Sequence, residues 1–280
     1  MTTVNSPLVS VGIITYNHEN YIRQCLEGIM MQKTNFSIEV IIGEDNSTDG
    51  TRAVIKEFEL KYPGIIKPIY HDKNVGGARN AYEFVYPRLG GKYIAICEGD
   101  DYWTDPYKLQ KQVDFLEQNA DYVMCFHQIG IVNQHDQYSR EQPPQRDILL
   151  FPPLEIFHLK IPTLSVVFRN CIKSFPPEMF QVRSCDTFLF GMLSCYGGAA
   201  DLGFTGANYR KHEGGVYTRL KTIEQYKQAI NTLRIMKSTN LYNAAQQLEL
   251  SREIRIRKKR YIRQFIRKSE LLNCVKIALT

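Results

Sequence analysis

The sequence contains no CxxC pair, no apolar run near the roughly 20 residues that span a bilayer, and no glycine-rich basic loop after its first apolar segment. Each absence excludes something. The seven cysteines (Cys25, Cys97, Cys125, Cys171, Cys185, Cys195, Cys274) are odd in number and scattered, so they support neither a disulfide framework nor a zinc site and read as buried thiols. Residues 1–6 are polar, with no signal-peptide hydrophobic region, so the expected compartment is the cytosol. A composition of 44% hydrophobic and 23% charged residues excludes a disordered tail or a fibre, and 280 residues suffice for one large domain or two small ones. A uniform basic excess is also missing. The net charge is +6, yet residues 251–280 hold ten basic and two acidic side chains, which leaves the first 250 residues at −2. A nucleic-acid binder spreads such an excess over a face of its folded domain, so no nucleic-acid partner is expected.

What is present is an alternation. Short β-branched apolar runs at 8–14, 38–42, 65–70 and 93–97 have the character of buried strands, and helical patterns at 21–31, 51–62 and 78–86 separate them. This βαβαβαβ order predicts an α/β fold with a mainly parallel sheet, flanking helices and right-handed crossovers, whose ligand site lies beyond the carboxyl ends of the strands. Further on, 106–119 reads as a helix, 122–128 and 163–168 as strands and 186–195 as a helix. The polar, proline-rich stretch 133–162 reads as a functional insertion or lid. Residues 221–273 read as one or two long helices broken near 238–240.

The chemistry-bearing residues fall at the predicted strand ends. Glu98-Gly99-Asp100-Asp101 sets three carboxylates within four residues, and a fold that holds mutually repelling acids at a strand end points to a cation. Oxygen ligands suit Mg²⁺ or Mn²⁺, whereas a solvated acidic turn is the plainer alternative. Gly43-Glu44-Asp45-Asn46-Ser47 carries more acids, although turn and capping chemistry alone favours these residue types. Gly76-Gly77-Ala78-Arg79-Asn80 pairs glycines with an arginine at a helix start, where amides and a guanidinium hold phosphate.

Thr15-Tyr16-Asn17, Glu44-Asp45-Asn46-Ser47 and Gly77-Ala78-Arg79-Asn80, followed by the acidic triplet, together resemble the nucleotide-sugar-binding half of family 2 glycosyltransferases, of the GT-A fold, over residues 7–128. Later fragments, Ile161-Pro162-Thr163-Leu164-Ser165 and Tyr209-Arg210-Lys211-His212-Glu213-Gly214-Gly215, look like blocks of a bacterial surface-polysaccharide branch. The resemblance implies a GT-A domain over 1–218, with a donor half at 7–128 and an acceptor half at 129–218, and a helical extension over 219–280. It implies donor contacts from Thr15, Tyr16, Asn17, Glu44, Asp45, Arg79 and Asp100. Asp101 is the implied direct metal ligand, with Glu98 and His212 as further candidates. Asp186 is the implied base for the acceptor hydroxyl, while capping of its helix is the plainer reading. Trp103 and Thr163 are placed on the acceptor side, with a packing anchor as the other role for Trp103. The expected activity is inverting, metal-dependent transfer from a nucleotide diphosphate sugar, most readily a UDP-sugar, to a glycan or lipid-linked hydroxyl.

Two rivals remain. A sugar-phosphate nucleotidyltransferase needs the basic glycine loop that Thr15-Tyr16-Asn17-His18-Glu19 does not supply, and a non-catalytic nucleotide-binding scaffold would not need acids at every expected position. Residues 251–268 hold nine basics and one acid, with Ile254, Tyr261, Ile262, Phe265 and Ile266 mostly on one helical face. This pattern fits either peripheral docking on the anionic inner face of the cell membrane or packing of the stripe on the body or on a second subunit, as in a homodimer.

Overall fold

The structure is a computed structural model that describes residues 6–139, 142–214, 222–267 and 270–279, with only the backbone for 271 and 272. The expected alternation is present as β1 (Val9–Thr15), α1 (Ile22–Met30), β2 (Ile38–Glu44), α2 (Thr51–Lys61), β3 (Ile66–Tyr70), the short α3 (Gly77–Arg79) and β4 (Tyr93–Glu98). There follow β5 (Tyr102–Trp103), α4 (Lys108–Gln118), β6 (Tyr122–Asn133), β7 (Leu149–Phe151), β8 (Val167–Arg169), α5 (Cys185–Leu193) and β9 (Gly198–Lys211). Three helices end the chain: α6 (Thr222–Ser238), α7 (Ala244–Arg267) and α8 (Leu271–Leu279). The strands form one sheet in the order β3-β2-β1-β4-β8-β6-β9-β5, with β7 beside β9. The β1–β2, β1–β4 and β2–β3 pairs are parallel, whereas β4–β8, β6–β8 and β5–β9 are antiparallel. These three parallel pairs all lie in the first half of the chain.

The chain divides into two compact units: Met1–Leu150, Lys160–Cys171 and Ala199–Lys211 form the first, and Phe151–Leu159, Ile172–Gly198 and His212–Thr280 the second. The sequence places a boundary after 218; in the structure, 151–159 and 172–198 group with the C-terminal helices. In the first unit, Val9, Val11 and Ile13 of β1, Val40 and Ile42 of β2, and Ile22, Cys25, Leu26 and Ile29 of α1 are fully buried together. Each such aliphatic side chain contributes about 1.5–3 kcal/mol, which fixes the sheet that carries the site.

Three local departures from the sequence pattern have physical causes. Residues 78–86 do not continue as an α-helix: after α3 the chain makes a π-helix over Asn80–Val85 and a 3-10 turn over Tyr86–Arg88. The wider π spacing turns both Asn80 and Val85 toward Gly43, whose added Cβ would meet them at 2.0 and 2.7 Å, so only glycine fits at 43. Residues 163–165 form a 3-10 turn, not a strand, because side chains take their carbonyls: Trp103 Nε1–H donates to Leu164 O (3.0 Å) and Gln112 Nε2–H to Ser165 O (2.8 Å). The 14-residue β9 has no sequence counterpart, being rich in glycine and poor in β-branched residues. It is held by tertiary contacts, with Arg146 N–H donating to Gly203 O (3.1 Å) and the Arg146 guanidinium paired to buried Asp201. Of the expected lid at 133–162, in which 140 and 141 lie outside the described residues, part is strand β7, part is chain hydrogen-bonded to β9, and Pro153–His158 is a 3-10 helix.

In the second unit, most of the stripe of the basic tail is covered, although Ile266 is exposed. Tyr261 stacks on Tyr226 with ring centroids 3.8 Å apart, and Phe265 and Ile277 are buried beside Ile230. The arginines Arg252, Arg255, Arg260, Arg263 and Arg267 stay exposed. Lys268 lies outside the described residues. Four of the seven cysteines are buried as expected, whereas Cys171 and Cys274 are half-buried and Cys195 is exposed. Among the described residues, no helix is long and apolar enough to cross a membrane.

Candidate active site

Register brings the motifs together. Thr15 at the end of β1 pairs with Glu44 at the end of β2, Ile14 with Glu98 at the end of β4, and Glu44 with Tyr70 at the end of β3, so four strands stop at one edge and their loops lie side by side. Asn17 adopts φ +56°, tolerable for asparagine, and its Oδ1 accepts the Thr48 N–H (2.8 Å) while its own N–H donates to Ser47 Oγ (3.0 Å). That leaves Tyr16 42% exposed on the loop, a free aromatic face.

The two acids after β2 brace loops. Glu44 is fully buried, accepts the Ser47 N–H (2.6 Å) and pairs with Arg52, whose guanidinium also donates to His71 O (2.7 Å). Asp45 accepts the N–H groups of Val75 (2.6 Å) and Gly76 (3.0 Å), which fastens the glycine loop to the end of β2. Arg79 is exposed and pairs with Glu83 at 2.8 Å, a surface contact of small energetic weight.

The acidic loop after β4 is the most constrained part. A Cβ on Gly99 would lie 2.6 Å from Thr15 Oγ1 and 3.1 Å from His18 Nδ1, so a side chain there is excluded. Asp101 is 2% exposed and its Oδ1 accepts the Arg210 N–H at 2.8 Å. Burial, with the charges of Asp100 and Glu98 added, pushes its carboxyl well above the ordinary carboxylate range. Asp100 Oδ2 lies 3.9 Å from His18 Nε2, and His18 Nδ1 lies 3.2 Å from Thr15 Oγ1. Carboxylates this crowded need a proton or a cation, and Asp100 with His18 beside it offers an oxygen and an imidazole nitrogen of the kind that hold a divalent ion.

Arg210, on β9, supports this loop from beneath. It is 2% exposed, donates through Nε to Asp100 O (3.0 Å), pairs with Asp136 (2.8 Å), donates to Gln24 Oε1 and lies over the rings of Tyr21 and Tyr102. The sequence gives His18 no role, and Arg210 appears in it only within the Tyr209–Gly215 block. The signal for His18 was its place one residue after Asn17. Nothing local marks Arg210, whose partners lie far away in the chain.

Trp103 is 1% exposed with its indole N–H spent on Leu164 O, which makes it a packing anchor. Below it sits Lys108, fully buried, its Nζ 3.9 Å from the Trp103 ring centroid and without a hydrogen-bond partner. Burial drives this ammonium's pKa down to about 7. Thr163 opens the 3-10 turn and is half-buried.

Two candidates belong to the second unit. Asp186 lies in the first turn of α5; burial raises its carboxyl above the ordinary range, against the Thr187 N–H, its own N–H and the Arg257 charge. His212 is the residue that follows β9 and is half-buried, its ring facing Gly214.

The model for Glycosyl transferase family 2 matches residues 10–175. An uncharacterized protein of Mycobacterium bovis is 37% identical over 212 residues, covering 75% of this chain and 60% of its own, so the chain spans less than two thirds of that relative. A Bacillus subtilis protein named as the teichuronic acid biosynthesis glycosyltransferase TuaG is 35% identical over 114 residues, 41% of this chain and 44% of its own. Among solved structures, Staphylococcus aureus TarS in complex with UDP-GlcNAc superposes with a TM-score of 0.66 at 17% identity, covering 96% of this chain and 79% of its own. The mannosyltransferase PcManGT of Pyrobaculum calidifontis, in complex with GDP-Man and Mn²⁺, gives 0.61 at 14% identity, covering 99% and 74%. These structural likenesses show the GT-A fold. The chain belongs to glycosyl transferase family 2.

Proposed function

We propose that this protein is an inverting glycosyltransferase that moves a sugar from a nucleotide diphosphate donor, UDP-linked by preference, to a hydroxyl of a glycan or lipid-linked acceptor in surface-polysaccharide synthesis. The observation that carries this reading is the buried Asp101 carboxylate at the β4 end, crowded by Asp100 and Glu98 within the segment that the family model matches. The UDP-GlcNAc complex of TarS and the name of TuaG support the donor and the polymer class.

In this reading Tyr16 stacks on the base, and Thr15 and Asn17 shape its loop. Asp45 and Glu44 frame the ribose side. Arg79 leaves Glu83 to meet the diphosphate, and Asp100 contacts the ribose or metal. Asp101 and Glu98 would hold Mg²⁺ or Mn²⁺, with His212 as a further candidate ligand. When bound, the ion offsets charge that builds on the leaving diphosphate. Asp186 takes the acceptor proton as the anomeric carbon is displaced in line; its raised carboxyl suits a base. Thr163 stands on the acceptor side, while the burial of Trp103 limits it to supporting that wall. Because Tyr261 and Phe265 are buried, any docking of the tail on an anionic membrane works through its exposed arginines and not by insertion of the stripe.

With a verified donor and acceptor, Asp101→Asn and Asp186→Asn, each folded by circular dichroism, are expected to lower transfer by about 10²–10⁴-fold. Wild-type rates in both would overturn the reading. Donor binding that persists with no turnover in the unaltered chain would favour a nucleotide-binding scaffold.

A further inference from the structure

A second site of a different kind lies on the C-terminal helices. A groove of about 710 Å³ is lined by Arg234, Lys237 and Ser238 of α6 and by Ser251, Ile254 and Arg255 of α7. On each helix the three residues sit at i, i+3 and i+4, one face each, and both faces look into the same space. The lining contains three cations and no carboxylate. Among the described residues, Arg234, Lys237 and Arg255 form no ion pair.

The reason for that imbalance is visible one turn away. The two carboxylates of α7, Glu249 and Glu253, are both drawn to His158, whose Nε2 and Nδ1 each lie 2.5 Å from one of them. Glu249 further pairs with Arg252, and Glu253 with Arg257 at 2.6 Å. The acids that would neutralise the groove are thus held elsewhere on the helix. A neighbouring group registers the uncompensated field: burial first, and then the Arg234 charge, lower the pKa of Lys258. The serine hydroxyls donate to the helix carbonyls of Ile235 (2.8 Å) and Gln247 (2.9 Å), and rotation would free each proton for a ligand.

We propose that this groove binds a phosphoryl group, as a phosphate monoester or a diphosphate, through Arg234, Lys237 and Arg255. Two guanidiniums and an ammonium around one pocket match a dianion with several acceptor oxygens better than a single carboxylate. The site is separate from the donor site, shares no residue with it and does not rest on the functional reading above. The phosphoryl group can come from a lipid headgroup or from a soluble metabolite.

The test titrates the full chain with inorganic pyrophosphate by calorimetry, in chelator and in the Asp101→Asn background, so that the donor site contributes nothing. A groove variant, Arg234→Gln/Lys237→Gln/Arg255→Gln, is compared with Lys259→Gln/Arg260→Gln/Arg263→Gln, which removes the same charge from the exposed part of α7; melting curves establish that both fold. The groove variant is expected to lose about tenfold or more in affinity, and the control to change little. No binding in the parent, or equal loss in both variants, overturns the proposal, because the second result is what a diffuse basic field gives. Sedimentation with phosphatidylcholine vesicles carrying either phosphatidic acid or phosphatidylserine then separates the sources. A preference for the monoester lipid that the groove variant abolishes assigns a headgroup; pyrophosphate binding without that preference assigns a soluble ligand.

Discussion

At the residue scale the chain tolerates unfavourable charges close to its acidic loop. Lys108 is buried without a hydrogen-bond partner, and its attraction to the Trp103 ring offsets part of the desolvation cost. Its folded-state pKa of about 7 lies below the roughly 10.4 of an unfolded lysine, so between those values the unfolded chain binds the proton and the folded chain does not. Stability from this group therefore rises with pH across that window and is flat below it. Lys108→Met fills similar volume without the charge, and should stabilise the protein at neutral pH by about 1–4 kcal/mol, a gain that shrinks toward pH 10. Urea unfolding at several pH values checks this; a destabilised variant, or a gain independent of pH, would mean the ammonium has a partner. Gly99→Ala sets a methyl against Thr15 and His18, and is expected to cost about 1–3 kcal/mol and to weaken nucleotide binding together with stability.

At the scale of elements, the parallel half was legible because β1, β2 and β4 are buried on both faces and read as apolar runs, with the helices' own periodicity between them. The strand-end motifs were legible for the same reason, since a short apolar run fixes where its loop begins. The antiparallel half was not. β9 is a strand because Arg146, Gln128 and the acidic loop lie against it, and none of these contacts leaves a local pattern. Arg210 illustrates the consequence: its role depends on Asp100, Asp136 and Gln24, up to 186 positions away. Arg210→Met keeps the stem against Tyr21 and Tyr102 but removes the fork. It is expected to cost about 2–3 kcal/mol in urea unfolding and to reduce metal-dependent nucleotide binding. Unchanged stability and binding would show that the acidic loop holds itself.

At the scale of the whole molecule, the first unit carries the strand-end cluster, while the second carries Asp186, His212 and the basic helices. Residues 151–159 and 172–198 group with the C-terminal helices, Phe157 by its ring contact with Tyr242 and Gly191 by its closeness to Met236 and Tyr242. In the function proposed above, the acidic loop of the first unit binds a nucleoside diphosphate together with a divalent cation. The most direct measurement is thermal stability with UDP, GDP, dTDP or CDP, each with Mn²⁺, Mg²⁺ or chelator, in the unaltered protein and in Asp101→Asn. Ligand at about 100 times its Kd adds about 2.7 kcal/mol to the folded state, a rise of several degrees. Such a rise is expected for one nucleotide, UDP first, dependent on the metal and absent in Asp101→Asn. An equal rise in both proteins, or a rise indifferent to metal, would contradict it.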